Sequence, residues 1–299
     1  MLITTGRAAD LCGVHESTVK RWCDGGELPH EVTRGGHRRI GPRHLAALIS
    51  REGLALAVFG DRLRDYLEAE ELRHQEDDFE ALARLAYYWA LGGDGRSLLA
   101  MLDHQLQAAA AGPFLDGVVA GVMARVDQAY HEGRMGIADE HAVSYLLRDL
   151  VVARTVALPH TLGPRALVTC ARGEGHELGA LMARLVLRRL GWQVHYLGLN
   201  VPPEDIASAQ LDYRADLVCV SITLAPVIPE IRQVGLSLER IAGQAPFRLA
   251  FGGAGLDAVS GDSLPCRPAL FSAMTRFESW AKEISQAMPP RQSAGDSLT

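Results

Sequence analysis

The chain has 299 residues and a formal net charge of −6, from 30 Lys and Arg against 36 Asp and Glu. Hydrophobic content is 48%, charged content 22% and mean hydropathy +0.03. With no run of about 18 apolar residues, these values exclude a membrane-spanning class, and MLITTGRAADLCG, with no leader-like pattern, is not expected to act as a secretory signal. The expectation is a cytoplasmic globular chain of two or three domains.

The five cysteines, Cys12, Cys23, Cys170, Cys219 and Cys266, are odd in number and form no CxxC. They read as small buried hydrophobes rather than as disulfides or a zinc site. Charge is distributed unevenly. Residues 1–51 carry eight basic and five acidic side chains, a net of +3, whereas the rest carries −9. A small basic head on an acidic body points to one anionic partner met by the head alone.

In chain order, TTGRAADLCG predicts a short helix stopped at Gly13, and ESTVKRWCDGG a second one ending at Gly25-Gly26. This is helix-turn-helix spacing. ELPHEVTRGGHRRI predicts two short strands around a Gly35-Gly36 tip that carries Arg34, His37, Arg38 and Arg39, and GPRHLAALISREG predicts a third helix. Residues 54–158 are rich in Ala and Leu, with helical periodicity and breaks at 92–95, Gly112-Pro113 and 133–136, which predicts a bundle of four or five helices.

After a linker at 159–164 the pattern changes. RALVTCA, WQVHYLGL, ADLVCVSITL and PFRLAFGG predict strands. LGALMARLVLRRLG, PPEDIASAQLD and IPEIRQVGLSLERIAG predict the helices between them, and LFSAMTRFESWAKEISQA a last helix. Such alternation predicts a Rossmann-like, doubly wound parallel sheet. The expected organisation is multidomain: a winged helix-turn-helix head at 1–53, a helical bundle at 54–160, an α/β domain at 161–288 and a disordered tail at 289–299.

The loop after the first strand of that sheet reads Glu174-Gly175-His176-Glu177-Leu178-Gly179. A histidine there sits where doubly wound folds bind ligands, and a carboxylate two residues away orients its imidazole. Forty-one residues separate Gly179 from Ser221, which opens Ser221-Ile222-Thr223-Leu224, and 27 separate Leu224 from Gly252-Gly253. This resembles the cobalamin-binding domain family, whose fingerprint is DxHxxG, SxL and GG at those spacings. Glu174 stands where that family has Asp, and SxxL stands for SxL. The resemblance implies that His176 is the lower axial ligand of cobalt. It also implies that Glu174, Gly175, Gly179, Ser221, Thr223, Leu224, Gly252 and Gly253 border the cofactor, the two closing glycines leaving room for its nucleotide tail.

Head, bundle and sheet domain together resemble the light-dependent MerR-type repressors of the CarH/LitR group. Tyr130-His131 is followed by Glu140-His141, with nine residues between Tyr130 and Glu140. The group carries Trp at the first of these positions, and a phenol is smaller than an indole and adds a hydroxyl. The resemblance implies that Tyr130, Ile137, Glu140 and His141 lie by the upper face of adenosylcobalamin, with His131 an upper axial ligand after photolysis. It further implies that Ser17, Thr18, Lys20 and Arg21 enter the major groove of operator DNA while Arg34, His37, Arg38 and Arg39 form the wing. One such head has a small footprint, so a homo-oligomer, dimer or tetramer, is expected.

A cobalamin mutase needs a barrel of about 250 further residues, so the expectation is a regulator and not an enzyme. Two other readings stay open: a corrinoid methyl-transfer carrier, which has no use for the basic head, and a photoreceptor holding an additional bilin-type pigment.

Overall fold

The computed structural model describes residues 3–52, 79–91, 95–223, 227–253, 256 and 260–288. The first stretch of the expected bundle (54–78), the expected break at 92–94, Leu224 of the fingerprint and the expected tail (289–299) lie outside the described residues. The chain divides into two compact units, one of residues 1–108 with 117–146, the other of 109–116 with 147–299.

The first unit opens with β1 (Ile3–Thr4), α1 (Thr5–Cys12), α2 (Glu16–Asp24), β2 (His30–Val32), β3 (Arg38–Ile40) and α3 (Pro42–Glu52). The strands form an antiparallel sheet in the order β1-β3-β2. Two residues carry no periodicity, so β1 was not legible as a strand; its Ile3 is nevertheless buried opposite Ile40. Ala8, Val19, Leu28, Ile40 and Leu45 are fully buried, one from each of five elements or turns, which is how so short a segment assembles a core.

The region expected to form the bundle contains α4 (Phe79–Leu91), α5 (Gly95–Ala108), α6 (Ala111–Phe114), a π-helical segment (Leu115–Ala120), α7 (Gly121–His131) and α8 (Ile137–Val156), of which α6 and α8 from Leu147 onward belong to the second unit. The break expected at Gly112-Pro113 falls three residues earlier, at 109–110. Pro113 sits in the first turn of α6, where its missing N–H costs nothing. Gly112 sits in that turn because a Cβ there would lie 2.7 Å from the backbone of Thr275.

The second unit is built on β4 (Arg165–Ala171), α9 (Leu178–Arg189), β5 (Gln193–Val201), α10 (Pro203–Tyr213), β6 (Leu217–Ser221), α11 (Val227–Glu239), β7 (Arg248–Gly252), β8 (Ala269–Phe271) and α12 (Met274–Gln286). All neighbours are parallel, in the order β5-β4-β6-β7-β8. Leu270-Phe271, expected inside the last helix, instead extend the sheet as β8. Asp116 then caps α12, accepting from the backbone N–H of Met274 (2.7 Å) and Thr275 (2.8 Å). Glu278 in turn accepts from the N–H of Gly112 at 2.8 Å, which ties α6 to α12.

Leu167, Val218, Val220 and Phe251 are buried to 1% exposure or less, as central parallel strands covered on both faces require. Cys12, Cys23, Cys170 and Cys219 are buried, as expected, whereas Cys266 is only half-buried. Burial pushes the Cys12 thiol up to about 11 and Cys170 to about 12, so these thiols stay protonated and inert. The strand order reverses between β4 and β6, and the crevice beyond the carboxyl ends of those two strands is where such a sheet binds ligands.

Candidate functional site

The loop from β4 to α9 occupies that crevice. Ala171 ends the strand, and Gly173 takes a positive φ of 78° while its N–H donates to the Asn200 side chain at the end of β5 (2.7 Å). The chain then turns inward and buries the Glu174 side chain to 1% exposure. A buried carboxylate needs several donors, and Glu174 has them. Oε1 accepts from the backbone N–H of His176 (2.8 Å) and meets His176 Nδ1 at 3.0 Å. Oε2 accepts from the N–H of Thr223, just beyond β6. One carboxylate thus stitches together the loops on both sides of the switch point.

The His176 side chain is 66% exposed. With Nδ1 donating to Glu174, a neutral ring carries its lone pair on Nε2. Nε2 has no protein partner among the described residues. An imidazole held from behind by a carboxylate and presenting Nε2 outward has the chemistry of a metal donor, and that chemistry fits cobalt.

The glycines of the expected fingerprint have distinct local roles. A Cβ on Gly179 would lie 3.0 Å from Ser221 Oγ, so glycine lets the first turn of α9 approach the buried end of β6. A Cβ on Gly253, at φ 155°, would lie 1.8 Å from the Ile222 carbonyl oxygen. The clash that requires glycine there is with the chain's own backbone. Gly252 and Gly175 are unobstructed, a Cβ on Gly252 meeting only the Phe271 carbonyl at 3.9 Å. Open space at Gly252 fits a bulky group laid against the strand ends.

In the first unit, His15 caps α2 by accepting from the N–H of Ser17 (3.3 Å), and Gly36, at φ 77°, turns the wing between β2 and β3. Lys20 on α2 and His37, Arg38 and Arg39 on the wing line one open groove, while Ser17, Thr18, Arg21 and Arg34 lie outside it. Arg38 is engaged within the head. Its Nη2 lies 2.6 Å and its Nε 3.1 Å from Asp24 Oδ1 at the end of α2.

The remaining expected residues sit around the turn between α7 and α8. Tyr130 is 45% exposed, its ring edge-on to His131 at 5.9 Å. His131 Nδ1 donates to the Asp127 carbonyl at 2.8 Å, which again leaves the lone pair on Nε2. Ile137 is exposed, and Glu140 Oε2 meets His141 Nε2 at 3.3 Å.

Residues 164–265 match the B12 binding domain family, and residues 2–53 match a helix-turn-helix domain family. Two proteins of Myxococcus xanthus are similar along most of the chain. The HTH-type transcriptional repressor CarA is 28% identical over 263 residues, covering 83% of this chain and 85% of CarA. The HTH-type transcriptional repressor CarH is 30% identical over 234 residues, covering 72% of this chain and 76% of CarH. The chain belongs to the CarH family of transcription regulators. Among solved structures, the monomethylamine corrinoid protein of Methanosarcina barkeri matches this CarH-family chain with a TM-score of 0.54 at 14% identity, over 67% of this chain and 96% of its own, a likeness of fold alone.

One cluster of the CarH-family site escaped the sequence: Glu177 of the loop with Arg148 on α8 and Tyr196 on β5. Glu177, directly after His176, accepts from Arg148 Nε (2.5 Å) and from the Tyr196 hydroxyl (2.8 Å). Burial pushes the Glu177 carboxyl up, but these two donors outweigh it and hold the group below the usual carboxylate range. Burial raises the Tyr196 phenol, reinforced by Glu177. No local pattern links Arg148, 29 residues upstream, to Glu177; only the fold brings them together.

Proposed function

We propose that this CarH-family chain is a cobalamin-sensing transcription repressor of the cytoplasm, binding the cofactor through His176 and operator DNA through residues 1–53. The head, the bundle (54–160) and the cofactor domain (161–288) are its working parts. The observation that carries the reading is the outward-facing His176 imidazole braced by buried Glu174 at the switch point. No helix among the described residues is long and apolar enough to cross a membrane.

Adenosylcobalamin is the proposed form; when bound it supplies a cobalt–carbon bond that light breaks. His176 would hold the metal, with Ser221, Thr223 and Gly252 beside the nucleotide tail. Tyr130, Ile137, Glu140 and His141 would lie by the upper group. His131, an exposed side chain whose Nδ1 is engaged by the Asp127 carbonyl, would be a second imidazole able to hold the metal. Since one small head gives weak binding, the loaded dark state is proposed to assemble as a dimer or tetramer that grips the operator, and light to release it.

The test is an absorption spectrum, a sizing run and a mobility shift on the chain's own promoter, each in the dark and illuminated, with adenosylcobalamin added. Cofactor retention with a dark DNA shift supports the reading. Retention without a DNA shift favours a methyl-transfer carrier, and an added band at red wavelengths identifies a bilin-type pigment. His176→Ala should keep the melting temperature and lower cobalamin retention at least tenfold, the scale of losing a metal-site partner. Unchanged retention removes His176 from the site.

Within the head, Arg38 is expected to hold the wing rather than to meet a phosphate, because Asp24 already neutralises it. Asp24→Asn and Arg38→Ala should then weaken operator binding to a similar degree without changing its salt dependence. Loss of a phosphate contact, as proposed for Arg34 or Arg39, lowers the log–log salt slope by about 0.9. A binding titration across salt concentrations separates the two roles, and a slope reduced by Arg38→Ala would make Arg38 a phosphate contact.

A further inference from the structure

We infer that Arg148, acting through Glu177, whose other oxygen Tyr196 holds, is a positioning residue that sets the stance of the His176 loop; this rests on the reading of His176 as a cobalt ligand. The loop is six residues long, from Arg172 to Glu177, and beside the exposed Arg172–Glu204 ion pair three side-chain ties fix it. Asn200 holds its start through the Gly173 N–H, and Glu174 holds its middle from inside. Glu177 holds its end, and the Cys170 thiol lies 3.8 Å from the His176 carbonyl beneath it.

Glu177 is the informative member. It is the N-cap residue of α9, yet its side chain makes no cap hydrogen bond. The carboxylate that would ordinarily satisfy a helix N-terminus is turned away and given to Arg148 and Tyr196 instead. Tyr196 is held in its turn, with the Arg184 guanidinium 5.6 Å over its ring. Arg148 is half-exposed, Glu177 only 20% exposed. A charge-assisted bond of this kind directs geometry more than it adds stability.

The residue immediately before this anchor is His176. Glu174 sets which nitrogen the ring presents, and Glu177 sets where the backbone under the ring lies. Arg148 belongs to α8, the helix that begins with Ile137, Glu140 and His141. A displacement of α8 at Arg148 is therefore transmitted to the His176 backbone through one ion pair.

The test is made on the full chain with Arg148→Met, Arg148→Lys and Tyr196→Phe. Readouts are the melting temperature without cofactor, the affinity for added cobalamin, and the histidine-nitrogen splitting in the electron paramagnetic resonance spectrum of the cob(II)alamin-loaded protein. Arg148→Met is expected to weaken cobalamin binding about tenfold and to diminish the histidine splitting. Arg148→Lys should restore part of both, and Tyr196→Phe should produce a smaller loss of the same kind. If Arg148→Met fails to fold, Tyr196→Phe decides. Wild-type affinity and full splitting in the folded variants overturn the inference. If the wild-type chain itself shows no histidine splitting, or His176→Ala retains cobalamin like wild type, the reading of His176 fails instead.

Discussion

Gly253→Ala is expected to destabilise the second unit by roughly 3 kcal/mol or more, placing it among the severe point substitutions. Two independent terms act together. Its φ of 155° is one that L side chains rarely adopt, and the new Cβ would sit 1.8 Å from the Ile222 oxygen and 2.7 Å from its carbonyl carbon. The obstacle is backbone, so no rotamer change relieves it. Ile222 is also pinned, its N–H donating to the Gly252 carbonyl at 2.9 Å, while the Gly253 N–H donates to Phe271 at 3.1 Å. Relief therefore requires β6 or β7 to shift at the strand ends, beside the Thr223 N–H that Glu174 needs. Gly175→Ala is the control: a Cβ there meets nothing within 4 Å and should change stability by less than about 1 kcal/mol. Circular dichroism melts of both variants without cofactor check this. Equal melting temperatures for Gly253→Ala and the wild type would show that the ends of β6 and β7 yield freely.

Much of this was legible because the signals are local. Apolar runs such as LVTCA and LVCVS announce strands buried on both faces, and Gly-bounded amphipathic stretches announce the helices between them. The Glu174–His176 pair was legible as well, since two residues of loop are enough to place a carboxylate against an imidazole. What escaped depends on the third dimension. The second oxygen of Glu174 finds Thr223 49 residues away, and Arg148 finds Glu177 across the fold. Gly112 reads locally as a helix break; its real cause is the close passage of α12, which no sequence window contains. Likewise β8 is three residues long and exists because β7 offers an edge to pair with, not because Ala269–Phe271 has a strand pattern.

Glu174→Ala should carry the second large effect, because it touches both fold and cofactor. The wild-type side chain, 1% exposed, satisfies the His176 and Thr223 backbone N–H groups and orients the imidazole. Alanine leaves two donors without an acceptor, at about 1–3 kcal/mol each when water does not replace it, so a loss of roughly 2–6 kcal/mol is expected. The imidazole also loses the partner that keeps its lone pair on Nε2, and cobalamin retention should fall about 10- to 100-fold. Glu174→Gln separates the contributions. An amide has one acceptor oxygen, while the wild-type oxygens serve donors on opposite loops. With that oxygen toward His176, the NH₂ faces the Thr223 N–H and the loops part. With it toward Thr223, the NH₂ donates to Nδ1 and moves the ring proton to Nε2, removing the lone pair a metal would use. Either orientation should lower both melting temperature and cobalamin retention, each less than alanine does. Melting curves and a cobalamin titration on the two variants measure this. A Glu174→Gln chain that melts and binds like wild type would show that charge and paired acceptors at Glu174 are dispensable, leaving His176 oriented by its backbone alone.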